Sequence, residues 1–174
     1  MAIRKILRMG DPRLLDQSEV VSDVPSKELD ELIEDLLETM EANDGAGLAA
    51  PQIGVAKQIV VFGAKENPRY PDTEQVPMTI LINPVIEALG DEVVESWEGC
   101  LSLPGLRGLV PRYSKIRYKG IDQFGEKIDR EVDGFHAIVV QHECDHLDGI
   151  MYPMRMSDLS YLGFEEELSS PPED

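Results

Sequence analysis

The stretch Gln141-His142-Glu143-Cys144-Asp145-His146-Leu147-Asp148-Gly149 contains the pattern His-Glu-x-x-His. On a helix, residues four apart lie on one face, a turn from each other. His142 and His146 can therefore offer two imidazoles to one metal ion. Glu143 follows the first of them directly, so its carboxylate can reach a water on that ion. These are the residue types of a metal-dependent hydrolase. The preceding run, Gly134-Phe135-His136-Ala137-Ile138-Val139-Val140-Gln141, is mostly apolar and predicts a buried helix over 134–148. Imidazoles and a carboxylate inside such a helix need partners. The chain has three histidines, and two of them are here.

A catalytic site of this kind takes three protein ligands and keeps one position open. His136 is six residues before His142 and falls off the metal-facing stripe. An extended motif would place a third histidine three residues after Gly149, where Tyr152 stands. One class of zinc proteases takes a Glu from a later helix, about twenty residues past the second histidine, and Glu165, Glu166 and Glu167 fall there. The other candidate is Cys100, between Gly99 and Leu101, because Cys-His-His suits a divalent transition metal. The residue pattern alone leaves the glutamates and Cys100 both open.

Several elements must position these groups. Leu29, Leu32, Ile33, Leu36, Leu37 and Met40 recur at helical spacing, with Asp and Glu on the other face. They predict an amphipathic helix that starts near Pro25 and runs to about Asn43. Residues 45–54 hold three glycines and three alanines, so their backbone can approach a ligand or another segment closely. They read as a tight turn into a strand at 58–62. Residues 64–76 read as a polar surface loop. Strands follow at 78–82, stopped by Asn83-Pro84, and at 92–97. Residues 99–112, with Pro104, Gly105, Gly108 and Pro111, read as irregular. Alternating runs at 115–118 and 127–132 flank Asp122-Gln123-Phe124-Gly125 and predict a hairpin. The fold class is α+β, with mixed or antiparallel sheets packed around the central helix. One domain covers 1–168, and a short acidic tail, 169–174, frays.

The chain has 174 residues, 34 acidic and 16 basic, for a formal net charge of -18. That balance argues against a general nucleic-acid surface, which would need a basic patch. Cys100 and Cys144 make no disulfide framework, and no apolar run reaches the length of a membrane span. A cytoplasmic protein with reduced thiols is expected.

Three stretches, in order, are similar to the three motifs of the peptide deformylases. They are Gly45-Ala46-Gly47-Leu48-Ala49-Ala50-Pro51-Gln52, Glu98-Gly99-Cys100-Leu101-Ser102 and Gln141-His142-Glu143-Cys144-Asp145-His146. The opening Ile6-Leu7-Arg8-Met9-Gly10-Asp11-Pro12 also resembles that family's N-terminus, and the resemblance covers about residues 3–155. It implies removal of the formyl group from the N-terminal formylmethionine of new chains, releasing formate. It implies Cys100, His142 and His146 as metal ligands, usually for Fe(II) in the cell, with zinc, nickel or cobalt as replacements.

The same resemblance implies the roles of the remaining residues. A metal-bound water is the nucleophile, and Glu143 is the general acid and base. Gln52 and the backbone N–H of Leu101 donate to the oxyanion, each such donor being worth about 3–4 kcal/mol of barrier. Backbone around Ala46 and Gly47 pairs with the substrate in β fashion, and Gly99 borders the same cleft. Phe135, Ile138 and Val139 stand seven, four and three residues before His142, so they share its side of the helix and would line the methionine pocket. Arg107 contacts substrate backbone, Arg112 pairs with Asp145, and Glu98 supports the ligands. The implied partners are N-formylmethionyl peptides and nascent chains met by a monomer, with transient ribosome contact. This chain departs from some bacterial members there: its tail is acidic, where theirs is a long basic helix that docks on the ribosome. Cys144 sits at a variable position of the third motif and points away from the metal, into packing.

Overall fold

The computed structural model describes residues 2–64 and 75–169. The long helix α1 spans Lys27–Ala42 and is capped by Ser26, whose hydroxyl accepts the Leu29 N–H. The start is thus two residues later than Pro25, because Ser26 supplies the capping oxygen that Pro25 lacks. Leu29, Ile33, Leu36 and Met40 are buried, as the spacing predicts. Asp35 and Thr39 are buried too, against the expectation of a wholly solvated polar face. They hold the N-terminal segment: Asp35 accepts the Ala2 N–H and the Arg4 guanidinium, and Thr39 accepts the Arg4 N–H, at 2.8–2.9 Å.

The small-residue stretch is more ordered than a turn. Gly47–Ala49 form β1, and a 3-10 turn follows at Ala50–Ile53. Strand β2 is Ile59–Ala64 and pairs with both β1 and β3. Strand β3, Val76–Ala88, does not stop at Asn83-Pro84. Asn83 adopts φ +51, and the register shifts between Ile82 and Val85. Pro84 lies in that bulge, where a missing N–H is tolerated. The Asn83 side chain bonds both backbone groups of Val21. The predicted hairpin is present as β6, Lys115–Ile121, and β7, Lys127–Asp133. The loop expected at 64–76 lies mostly outside the described residues.

The segment expected to be irregular is also a strand. β4, Val93–Cys100, pairs antiparallel with β5, Leu103–Tyr113, from Val93↔Tyr113 to Cys100↔Leu103. Prolines and glycines masked it in the sequence. The far edge of β5 pairs with β8, Gly163–Phe164, only at Leu106 and Arg107, which leaves room for Pro104 and Pro111 without lost ladder bonds. At Gly108 a side chain would collide with Met156 and Tyr152.

Among the described residues two antiparallel sheets result, β1-β2-β3-β6-β7 and β4-β5-β8. Helix α2, Gly134–Leu147, packs between them. Its Ala137, Val140, Cys144 and Leu147 join Phe62, Leu81, Ile116 and Tyr118 in one core. Cys144 is therefore a packing residue, as its position predicts. A second core lies under α1, and a third joins Leu14, Cys100 and Val110 to Met151 and Tyr152. The C-terminal region adds the short helix α3, Glu165–Ser169, where the sequence showed no element. The acidic tail beyond Ser169 lies outside the described residues.

Candidate active site

Helix α2 delivers the His-Glu-x-x-His residues to the bottom of a cleft. Nine of its fourteen residues are buried, including Gln141, His142, Glu143 and His146. A helix buried on most of its circumference must satisfy its polar groups through tertiary partners. The second contributor is the β4–β5 hairpin. Its turn, Leu101-Ser102, follows the last residue of β4, which places the Cys100 thiol against α2.

One ligand atom each from Cys100, His142 and His146 lies within 4.8 Å of the others, and all three residues are buried. Cys100 Sγ is 3.4 Å from His146 Nε2. Burial alone would raise the Cys100 pKa, but the two imidazoles pull it well below the ordinary thiol value. A thiolate is the form that binds metal. The His142 pKa, which burial would lower, is instead raised by that thiolate and by Glu98. His142 Nδ1 is 2.7 Å from Glu98 Oε1, which directs Nε2 towards the thiolate. This is the carboxylate support that metal-bound histidines usually have. A buried thiolate compensated by imidazoles, in a cluster of metal-ligand size, fits a divalent cation. His146 Nδ1 and Glu143 Oε2 are buried polar atoms with no hydrogen-bond partner among the described residues. Glu165, Glu166 and Glu167 do not join the cluster: Glu165 forms an ion pair with Arg107 instead.

Behind the ligands runs a chain of charges. Arg112 is almost fully buried and holds both Glu98 oxygens, at 2.8 and 2.9 Å. Its third nitrogen reaches Asp145 at 2.6 Å, so the expected Arg112–Asp145 pair is present. Arg155 adds two further bonds to Asp145. Burial would raise the Glu98 pKa, but Arg112 and His142 hold it below the usual carboxylate value. Glu98 is thus fixed as the anion that orients His142.

Glu143 has no such partner. Burial raises its carboxyl to about 7, against the pull of the two histidines. Its carboxyl lies directly over Gly47, where any added side chain would collide with it. The absence of a side chain at Gly47 makes room for the acid. Gln52, also buried, is clamped at both ends of its amide. Its Oε1 accepts the Ala49 N–H at 2.9 Å, and its Nε2 donates to Ser102 Oγ at 3.1 Å, with Cys100 Sγ 3.5 Å away.

The cleft is lined by Ala46, Gly47, Gln52, Glu98, Gly99, Cys100, Leu101, His142 and Glu143. Phe135, Ile138 and Val139 form its apolar wall, on the side of α2 that their spacing predicts. Arg107 is not in this lining. Three contributors were given no role by the sequence, although Gly45 and Ser102 lie within the resembling motifs. Trp97 and Gly45 border the cleft, and Ser102 orients Gln52. Trp97, the chain's one tryptophan, stands three residues before Cys100, and that adjacency was the available signal.

A buried Cys-His-His cluster, an adjacent carboxylate and an apolar cleft between two antiparallel sheets define a metal-dependent hydrolase. The polypeptide deformylase family profile matches residues 3–161. The chain is 57% identical over 166 residues to peptide deformylase 1 of Nitrosomonas europaea, covering 95% of this chain and 94% of that protein. It is 60% identical over 166 residues to peptide deformylase 2 of Ralstonia nicotianae, with the same coverage. Among solved structures, it is similar to the class I type b peptide deformylase of Acinetobacter baumannii. That likeness has a TM-score of 0.86 and 33% identity, over 90% of this chain and 100% of that one. The chain belongs to the peptide deformylase family.

Proposed function

We propose that this chain removes the formyl group from N-terminal formylmethionine of newly made polypeptides, with Glu143 as the acid–base group. The observation that carries the reading is the buried Glu143 carboxyl, unpartnered at Oε2, beside the Cys100-His142-His146 cluster. The A. baumannii deformylase has been solved with Met-Ala-Ser bound, at a TM-score of 0.85 to this chain, which supports a methionyl peptide as the cleft's occupant.

Cys100, His142 and His146 would hold the ion. Bound there, a divalent ion would polarise the formyl oxygen and lower the pKa of a water towards neutrality. Glu143 takes the proton of the attacking water and returns it to the leaving amine. Gln52 Nε2 and the Leu101 N–H donate to the oxyanion as it forms, and the two-sided clamp on Gln52 removes the cost of reorienting its amide. Backbone at Ala46, Gly47 and Gly99 pairs with the peptide, and Phe135, Ile138 and Val139 enclose the methionine side chain. Arg107 contacts the substrate backbone further along. Fe(II) is the ion in the cell, with zinc, nickel or cobalt able to replace it, since the ligand set suits each of them.

We place the enzyme in the cytoplasm as a monomer with one catalytic domain over 1–168, acting on formylmethionyl peptides and nascent chains; any ribosome contact is transient, and activity does not depend on it. No helix among the described residues is long and apolar enough to cross a membrane. The test is formate release from a formyl-Met peptide, with metal analysis of protein prepared without oxygen. One equivalent of metal and catalytic release are expected. Loaded protein that binds the peptide without releasing formate would reduce the chain to an N-terminal Met binder.

A further inference from the structure

A second groove lies beside the cleft, and Cys100 and Leu101 line both. Its other wall is the N-terminal segment. Arg4, Lys5, Arg8 and Arg13 border it, against two carboxylates, Asp11 and Glu165. In a chain with about twice as many acidic as basic residues, this reversal is local: four of the sixteen cations fall within the first thirteen residues. Arg4 and Arg13 are committed to Asp35 and Asp11. Lys5 and Arg8 are exposed and form no ion pair among the described residues. The segment is held by four backbone hydrogen bonds to three parts of the fold, because the Ala2 and Arg4 amides bond α1 and the Leu7 and Met9 amides bond Gln52 and Ser102 carbonyls at 2.7 and 2.8 Å. The two charges therefore sit on a fixed frame, with Lys5 in the field of Asp11 but not ion-paired to it, which lowers the entropy cost of engaging a ligand.

We propose that this groove receives the part of the substrate downstream of the residues held in the cleft, and that Lys5 and Arg8 select chains with acidic residues there. The inference rests on the deformylase reading above. Continuity through Cys100 and Leu101 favours the substrate itself as the occupant. A nucleic acid, charged at every nucleotide, would be repelled by a molecule of formal charge -18 far more than a peptide with one or two acidic side chains that meet the basic strip. The groove also carries apolar Ile3, Ile6, Ile53 and Pro104, which suit a peptide backbone with mixed side chains. Selection among chains would then depend on salt, as for other exposed charges.

The experiment compares three substrates on the metal-loaded enzyme: formyl-Met-Ala-Ser, and the same peptide extended by five residues carrying either two Asp or two Lys. Turnover of the short peptide tests the deformylase reading alone. With that turnover present, kcat/KM for the Asp extension is expected to exceed that for the Lys extension by about three- to tenfold at low salt. The ratio should shrink in 0.5 M salt and fall to one or invert in K5E/R8E, with K5Q/R8Q intermediate. Equal rates for the two extensions in wild type would overturn the proposal. So would a preference untouched by both variants. Binding of a short RNA that K5E/R8E abolishes, without any discrimination between peptides, would assign the groove to nucleic acid and overturn it as well.

Discussion

Helices α1 and α2 are of similar length, sixteen and fourteen residues, and solve opposite problems. α1 turns its acidic side chains to water, where they are solvated at little cost, and buries a stripe of Leu, Ile and Met. Its two buried polar residues, Asp35 and Thr39, each find a partner in the N-terminal segment. α2 has almost no solvent face. Gln141 bonds both backbone groups of Tyr113, His142 bonds Glu98, and Asp145 bonds two arginines. Those partners come from three elements outside the helix: β4 (Glu98), β5 (Arg112 and Tyr113) and the turn at Tyr152–Arg155. The polar atoms left over are Glu143 Oε2, beside the ligand cluster, and His146 Nδ1, on the side of the ring away from Cys100. A surface helix can spend polar residues freely. A buried one keeps a polar atom unpartnered at a cost of about 1–3 kcal/mol, so such an atom marks where a ligand or reaction belongs.

The contrast is broken most severely at the thiolate. Cys100→Ala is expected to lose bound metal and all measurable formate release, whereas Glu166→Ala on α3 retains both. Metal analysis by mass spectrometry decides it, and the reverse pattern would move the third ligand to the C-terminal glutamates. Glu143→Ala comes next. It is expected to keep the metal and to lower kcat by about 10²–10⁴-fold, the usual contribution of a positioned acid–base group. A near-normal rate in steady-state assays would end its assignment.

Arg112→Met tests the support behind α2. It leaves Glu98 and Asp145 with one fewer cation in a buried setting, and urea denaturation should show a loss of about 3–5 kcal/mol. On α1 the smallest effect is expected: Ser26→Ala removes one capping bond and should cost about 1 kcal/mol by the same measurement, with kcat unchanged. If the two substitutions cost the same, the difference drawn between the helices is wrong.

The order of legibility follows from range. α1 was readable because its period of apolar residues is local and its polar face is solvated. The hairpin at 115–133 was readable for the same reason, since alternating runs flank a turn with Gly125. β5 was not, because Pro104, Gly105, Gly108 and Pro111 signal breaks, and only the open far edge of that strand makes them harmless. The passage of β3 through Asn83-Pro84 likewise depends on a bulge that the Val21 backbone stabilises from outside.

By itself the sequence determined the pair His142 and His146 with Glu143 beside them, because a helix of fixed pitch sets that geometry within five residues. It determined the apolar flank Phe135, Ile138 and Val139 by the same periodicity. The third position around the cluster stayed open on residue pattern, and resemblance to a family supplied Cys100. Only the tertiary structure brought that thiol onto α2 and put Arg112 behind Glu98 and Glu98 behind His142. It also turned Arg107 towards Glu165 and clamped Gln52 between Ala49 and Ser102. Those contacts join residues dozens of positions apart through sheet packing and hairpin register, for which the chain carries no period to read.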